Sequence, residues 1–393
     1  MRSVVQAATK SSAIRLRSRA VRIFQVLEFN QFTTGSVHQM FQAAAGLADR
    51  GHDVTIVTRP GKVMEGRAAS HGIGFRALPM RHQFDLASIA GIRRLVRDLR
   101  PDVIHVHKGI AHALALAGTL RDPVGAFVVN RGVSFPLDLW NRGKYRTSRV
   151  DRIVAVCQTV KDVVVSSGRL PAEKVEVVYA GTDVTLFDPA RHERSAFRRE
   201  KAIGDDRFLI AQVGIRDWKG WREVIDAISE IAPEHDRVHV ALIGNLTRVA
   251  ELRQYAEQRG VGDRVTPVEY RMDMPSVFAS CDLVVDASWA GTGITGTIRE
   301  AMAMGKPVIA TNAGGNDELL SSPEVGWLVP VRDHAALTRA IVEVIENPER
   351  AAAVGHRARQ HVIDGFSKER RINRLQGLYE EILQAKRPVR ADR

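Results

Sequence analysis

The chain has 393 residues, 45% of them apolar and only 6% aromatic, with a formal net charge of +12. That length exceeds what one core usually organises, so two domains are expected, filled with Val, Ile, Leu and Ala rather than rings. No stretch of about 18 apolar residues occurs, which excludes a membrane-spanning helix, and Cys157 and Cys281 sit singly in apolar runs, as small buried hydrophobes of a reducing compartment do.

The basic balance favours an anionic partner, either phosphorylated substrates or an anionic lipid surface. Nucleic acid is set aside, because no zinc-finger spacing, RRM signature or helix-turn-helix pattern is present. Residues 1–22 hold six basic residues (Arg2, Lys10, Arg15, Arg17, Arg19, Arg22), no acid and no apolar core segment, so they are not a secretory signal. A disordered leader over 1–20, or a misassigned start, is the first reading; a basic membrane arm is the second and a transit peptide the third.

Short Val/Ile-rich runs follow at 21–27, 54–58, 103–106, 126–130 and 153–156. They are continuously apolar rather than alternating, which predicts parallel strands covered on both faces. Helical patterns lie between them at 37–50, stopped by Gly51, and at 86–99, with Pro101 just beyond. Alternation of this kind predicts a doubly wound α/β domain over 21–185. A charged stretch poor in core residues then marks a junction at about 180–205. The pattern restarts with strands at 208–213, 238–243, 265–268, 283–285 and 307–310 and helices at 221–231, 248–259 and 297–304. Pro267 makes the third of these strands the weakest. Three more helices, at 333–346, 348–364 and 368–384, close the chain. The expected organisation is two Rossmann-like domains, 21–185 and 186–367, facing across a cleft, then a terminal helix over 368–393.

In such sheets ligands bind beyond the carboxyl ends of the strands, so the loops there carry the information. Gly35, between the first strand and helix, has no dinucleotide fingerprint around it and could be an ordinary turn glycine. Gly214 opens the loop GIRDWKG, in which Arg216 and Lys219 lie at a strand end beside a helix start, a pairing suited to a diphosphate. The segment from Ser288 has Gly291, Gly293 and Gly296 before a helix carrying Glu300 in its expected first turn. Glu300 there is either favourable charge against the helix dipole or a carboxylate for ribose hydroxyls. His105 and His107 alternate onto one strand face, too few ligands for a metal; His107 is expected at the cleft edge, touching substrate.

Taken in order, LADRGHDVTIVT (47–58), RPDVIHVHKG (100–109), VDRIVAVCQTVKD (150–162), EKVEVVYAGTDVTLFDP (173–189), the GIRDWKG loop, REAMAMGKPVIATNAGGNDELL (299–320) and GWLVP (326–330) resemble the retaining glycosyltransferases of GT-B fold, family 4. That resemblance implies roles. Arg216 and Lys219 would neutralise the donor diphosphate as it leaves, and Glu300, the second Glu of a Glu-x(7)-Glu motif, would bind the ribose. Gly35 would let the N-terminal domain approach donor and acceptor, Tyr270 and Arg271 would flank the nucleobase, and the terminal helix would cross back onto the N-terminal domain. Gly214, Thr292, Gly293, Ile294 and Thr295 would line the donor. Two positions depart from the pattern: Thr292 replaces the first Glu, and Asn130, followed by Arg131, replaces the usual active-site His. Asn130 and Arg131, with His107, are candidates for contact with acceptor or sugar.

The expected function is retaining, metal-independent transfer from a nucleotide sugar to a lipid-linked, lipopolysaccharide or other cell-envelope glycan. It needs no cofactor and would run in the cytoplasm, on the inner membrane face. The alternative is a catalytically impaired nucleotide- or glycan-binding protein. Sugar-nucleotide epimerisation is disfavoured by the missing carboxylate, and NAD chemistry by the missing fingerprint.

Overall fold

The computed structural model describes residues 20–32, 34–290 and 293–386. The leader, Thr292 and the final seven residues fall outside that set. The first half contains β1 (Arg22–Leu27), β2 (Asp53–Thr58), β3 (Gly74–Ala77), β4 (Val103–His107), β5 (Ala126–Arg131), β6 (Arg152–Ala155) and β7 (Val175–Val177). The second contains β8 (Phe208–Val213), β9 (Val238–Gly244), β10 (Val265–Glu269), β11 (Leu283–Asp286), β12 (Val308–Thr311) and β13 (Trp327–Val329). Among the described residues they form two parallel sheets, ordered β3-β2-β1-β4-β5-β6-β7 and β10-β9-β8-β11-β12-β13. Helices follow the strands, giving the two α/β domains that the apolar runs predict.

Continuous apolar runs became interior strands because both faces of an interior strand are covered; every residue of β4 is buried. The strands missed by the apolar pattern, β3, β7 and β13, are edges of four, three and three residues, in which only Val175 and Val329 are buried. β10 does form despite Pro267. It pairs only with β9, and an edge strand tolerates a residue without an N–H. The strand order reverses between β1 and β4 and between β8 and β11. Ligand clefts open at such switch points, so four strand ends define the site.

The chain leaves the first sheet and returns to it at one place. Thr182 N donates to Phe366 O at 2.8 Å, and Lys368 N donates to Thr182 O at 2.9 Å. The final helix, Lys368–Ala385, lies in the N-terminal core: Ile372, Leu375, Leu378, Tyr379 and Ile382 are buried with Ile23, Val37 and Met40. A Cβ on Gly46 would collide with Ile372, so glycine permits the close approach of this helix to Gly35–Ala48. Each buried aliphatic side chain in that seam contributes about 1.5–3 kcal/mol. Among the described residues no helix is long and apolar enough to cross a membrane.

Candidate active site

The loop after β8 is shaped by two glycines. Gly214 has φ +111° and Gly220 has φ +70°. A Cβ on Gly220 would also strike the carbonyl oxygen of Ala287, so both conformation and space demand glycine there. Between them a short 3-10 turn, Asp217–Lys219, leaves Arg216 exposed and brings the Lys219 ammonium to 3.2 Å from Asp286 Oδ2 at the end of β11. Gln212 Nε2 fixes the turn by donating to Lys219 O at 2.7 Å. Trp289 ties the β8 and β11 loops together: its backbone N–H donates to Trp218 O at 2.9 Å and its indole N–H to Asp217 O at 3.1 Å. The Asp217 carboxylate is held by Arg222 at 2.7 Å and Arg248 at 2.8 Å, which leaves Arg216 without an ion pair among the described residues.

The second loop is described from Gly293 onward, with Ile294 and Thr295 buried. Asn316 braces it from a fully buried position, accepting from Thr295 N at 3.0 Å and donating to Thr311 O at 3.0 Å. The Thr311 hydroxyl in turn donates to Ser288 O. The helix that follows starts at Gly296, one residue earlier than the pattern predicts. Glu300 therefore lies just past the first turn, where the dipole favours it less, and the dipole explanation of this residue loses weight. The Glu300 side chain is half-buried and makes no hydrogen bond or ion pair among the described residues. Burial pushes its carboxyl up to about 7, against the opposing pull of Arg299. Arg299 itself is buried and donates to Ala180 O, and burial lowers its guanidinium to about 10. Tyr270 faces Glu300 closely enough that the carboxylate, after burial, raises its phenol. Arg271 is taken up elsewhere: it pairs with Glu200 at 2.7 Å and Asp273 at 2.5 Å and lies over the Phe197 ring.

From the N-terminal domain, Gly35 starts the helix after β1 with open space where a Cβ would be, so nothing in the chain itself requires glycine there. Asn130 and Arg131 end β5. Asn130 Oδ1 is buried without a partner, and Arg131 donates to Phe135 O. The two domains touch beside the loop that carries Gly293. A Cβ on Gly293 would sit 2.8 Å from Val156, and one on Gly315 would sit 2.8 Å from the Cys157 sulfur. Glu318 accepts from Gln158 N at 2.9 Å, Thr159 N at 3.1 Å and Tyr179 Oη at 3.0 Å.

Two family models match the chain: "Glycosyltransferase Family 4" over residues 33–186 and "Glycosyl transferases group 1" over residues 193–361. Together they take in most of it. The chain belongs to the family 4 glycosyltransferases of GT-B fold. It is 28% identical over 248 residues to the lipopolysaccharide core biosynthesis mannosyltransferase LpcC of Rhizobium leguminosarum bv. viciae, covering 61% of this chain and 67% of that protein. In fold it is similar to a glycosyltransferase from Rickettsia africae ESF-5 (TM-score 0.84, 19% identity, 93% of this chain and 99% of that one). It is also similar to Anabaena HepE in complex with UDP-glucose (TM-score 0.79, 21% identity, 92% of this chain and 100% of that one).

Within this glycosyltransferase the expected residues do not all share one surface. Arg216, Lys219 and Gly214 share one loop, which is tied to the loop leading to Gly293, Ile294, Thr295 and Glu300. His107 does not stand at the cleft edge. It is 1% exposed, stacked on His105 with centroids 4.5 Å apart, and bonded to Gln25 Oε1 at 2.7 Å. Its strand is interior and covered by the terminal helix, whose Tyr379 hydroxyl meets His105 Nδ1 at 2.6 Å. Burial holds His107 near 3, so it stays neutral. Sequence reasoning missed Asp286, Glu318 and Trp289. Asp286 had a signal, an acid closing an otherwise apolar strand. Glu318 had none, because its partners are 160 and 159 residues away.

Proposed function

We propose that this glycosyltransferase moves a sugar from a nucleotide-sugar donor to a lipid-linked, lipopolysaccharide-type or other cell-envelope glycan. Transfer occurs with retention at the anomeric carbon, without a metal ion, at the inner membrane face. The observation that carries the reading is Glu300, a half-buried carboxyl with no partner of its own, on the helix that follows a loop tied to the one presenting Arg216 and Lys219. An unpartnered carboxyl in low dielectric gains most from a ligand that donates to it, as ribose hydroxyls do.

Chemistry then needs little acid–base assistance. The bond from the anomeric carbon to the diphosphate oxygen breaks, and its electrons stay on the diphosphate. Arg216 and Lys219 meet that growing charge with preorganised donors, each worth on the order of 3 kcal/mol. The acceptor hydroxyl attacks from the same face, and its proton passes to the departing phosphate oxygen. Neither Asn130 nor Thr292 carries an ionisable group, which fits a mechanism in which the leaving group takes that proton. The bound UDP-glucose of HepE puts UDP-sugars first among donors to test, and the name of LpcC puts lipopolysaccharide core first among acceptors.

A thermal-shift screen against UDP-, GDP- and ADP-sugars tests donor binding, where a ligand at a hundredfold excess over Kd adds about 2.7 kcal/mol. Proton NMR of the product's anomeric signal tests retention. Arg216→Ala and Lys219→Ala should each lower turnover about a hundredfold with folding intact; unchanged turnover in both sinks the assignment. Asn130 and Thr292 also motivate the second reading, a binding protein without turnover. Donor binding with no nucleotide release in the presence of acceptor would favour it.

A further inference from the structure

Large apolar side chains are exposed on one rim of the N-terminal domain. Trp140 is 95% exposed, Leu139 77% and Phe135 57%. They stand at and just before the start of the helix Leu139–Arg146, which follows the carboxyl end of β5. Phe84 and Leu86 are similarly exposed at the start of Leu86–Leu99, which follows β3. In a parallel sheet every helix that follows a strand begins at the strands' carboxyl end, so both sets lie on the rim of the cleft. The two helices share a face, each packing on Gly109–Gly118.

The charge of this rim selects its partner. Leu139–Arg146 contains Arg142, Lys144 and Arg146 and no acid. The acid beside it, Asp138, is spent as the helix cap, accepting from Asn141 N at 2.7 Å. Neither Arg142 nor Arg146 makes an ion pair among the described residues. A Trp and a Leu beside unpaired cations match the boundary between headgroups and acyl chains, where an indole is half in each medium and arginines meet anionic headgroups. An eight-residue helix is too short to span and can act only as a wedge.

We infer that Phe135, Leu139 and Trp140, with Arg142 and Arg146, form a docking surface for an anionic lipid bilayer. The surface adjoins the candidate acceptor site. Arg131 donates to Phe135 O, and Gly132 O lies 3.4 Å from where a Cβ on Gly293 would be. A bilayer docked here would bring a lipid-linked acceptor to the end of β5, where Asn130 and Arg131 lie. This deepens the reading of a lipid-linked acceptor and rests on it for its purpose. Vesicle binding is measured without donor or acceptor, so its failure leaves the transferase reading standing.

The test is co-sedimentation of the full chain with phosphatidylcholine vesicles, with and without phosphatidylglycerol. The wild type should bind phosphatidylglycerol vesicles in a salt-sensitive way. Leu139→Ser with Trp140→Ser should weaken that binding roughly tenfold or more, and Arg142→Gln with Arg146→Gln should abolish the preference for phosphatidylglycerol. Leu139, Trp140 and Arg146 are exposed, and half-buried Arg142 has an Nε that makes no hydrogen bond, so melting temperatures should be unchanged. Full vesicle binding by the Leu139/Trp140 variant overturns the proposal. So does self-association without lipid that this variant abolishes, which would make the rim an interface between copies of the chain.

Discussion

Lys219 Nζ lies 3.2 Å from Asp286 Oδ2, bridging the carboxyl ends of the adjacent strands β8 and β11. The Asp286 side chain is 2% exposed and the Lys219 side chain 16%, so the carboxylate is fixed while the ammonium keeps one edge toward the cleft. Asp286 Oδ1 also accepts from Ser288 N at 3.0 Å, which locks the carboxylate in its rotamer. Asp286 is thus a positioning residue for Lys219, and it also competes with diphosphate for the ammonium. Asp286→Asn removes both effects. Nucleoside diphosphate should bind as tightly or more tightly, while kcat falls ten- to a hundredfold, about 1.4–2.7 kcal/mol. Stability should drop by about 1–2 kcal/mol, less than for a fully buried pair because Lys219 retains water. Steady-state kinetics and nucleotide titration separate the two, and a parallel loss of both would make Asp286 merely structural.

Glu300 predicts a pH dependence of donor binding. Its carboxyl is raised to about 7 from the ordinary 4.5. The folded state therefore holds this proton where the unfolded state has lost it. The stability this confers is complete below about 4.5 and declines as pH rises toward 7. Glu300→Gln should accordingly be more stable than the wild type above pH ~7, by up to about 3 kcal/mol. Donor affinity has the opposite trend, because ribose hydroxyls donate to the ionised form. It should rise across pH ~7 in the wild type and stay flat and weak in Glu300→Gln. Calorimetric titration across that range checks it; identical profiles would remove Glu300 from the donor site.

Glu318 belongs to the second domain and caps a helix of the first. The helix Gln158–Gly168 follows Cys157, whose side chain makes no cap, and the Glu318 carboxylate takes its first two N–H groups instead. Glu318→Ala should lower stability by about 0.5–2 kcal/mol, as loss of a cap does. The same contact holds the two domains together beside Gly293 and Gly315. The variant should therefore also show a larger radius of gyration in solution scattering and a donor KM several-fold higher. A change in stability alone would reduce Glu318 to a cap.

Interior strands were legible because burial on both faces writes a continuous apolar run, as in β4 and β8. β3, β7 and β13 were not, since each is an edge strand of only three or four residues, too short to write such a run, whereas the five-residue edge β10 kept one. The site divides the same way. Gly214, Arg216, Lys219 and Glu300 could be placed at or beyond strand ends because loop glycines and charges there are local features. His107 was misplaced because alternation gives a strand face but not which helix covers it, and the cover, Lys368–Ala385, comes from the far end of the chain. Non-local caps such as Glu318 on Gln158, and Glu28 on Ala111 N at 3.2 Å, leave no trace near the helices they serve.

The buried imidazoles predict acid lability of the N-terminal domain. His105, His107 and His112 are all buried. Burial, the largest cause in each, holds His107 and His112 near 3 and drives His105 well below its ordinary value, with the neighbouring His107 adding to the effect on His105. In the unfolded chain each titrates near 6.5, so between about 6.5 and 3 the unfolded state binds more protons. Stability is then intact above pH ~6.5 and is lost as pH falls, by at most about 1.4 kcal/mol per pH unit for each imidazole. The stacked pair acts less than additively, since a proton on one ring opposes the second. Against an ordinary total of about 5–15 kcal/mol, that slope should unfold the domain well above the carboxylate range. Urea midpoints measured from pH 7.5 downward would reveal it. His112 packs against Phe127 and Tyr145, so His112→Phe keeps the ring contacts and removes one titrating group. Its stability should fall less steeply with acid, by about one proton's worth of slope. An unchanged slope would mean that His112 is protonated in the folded state and that burial does not govern it.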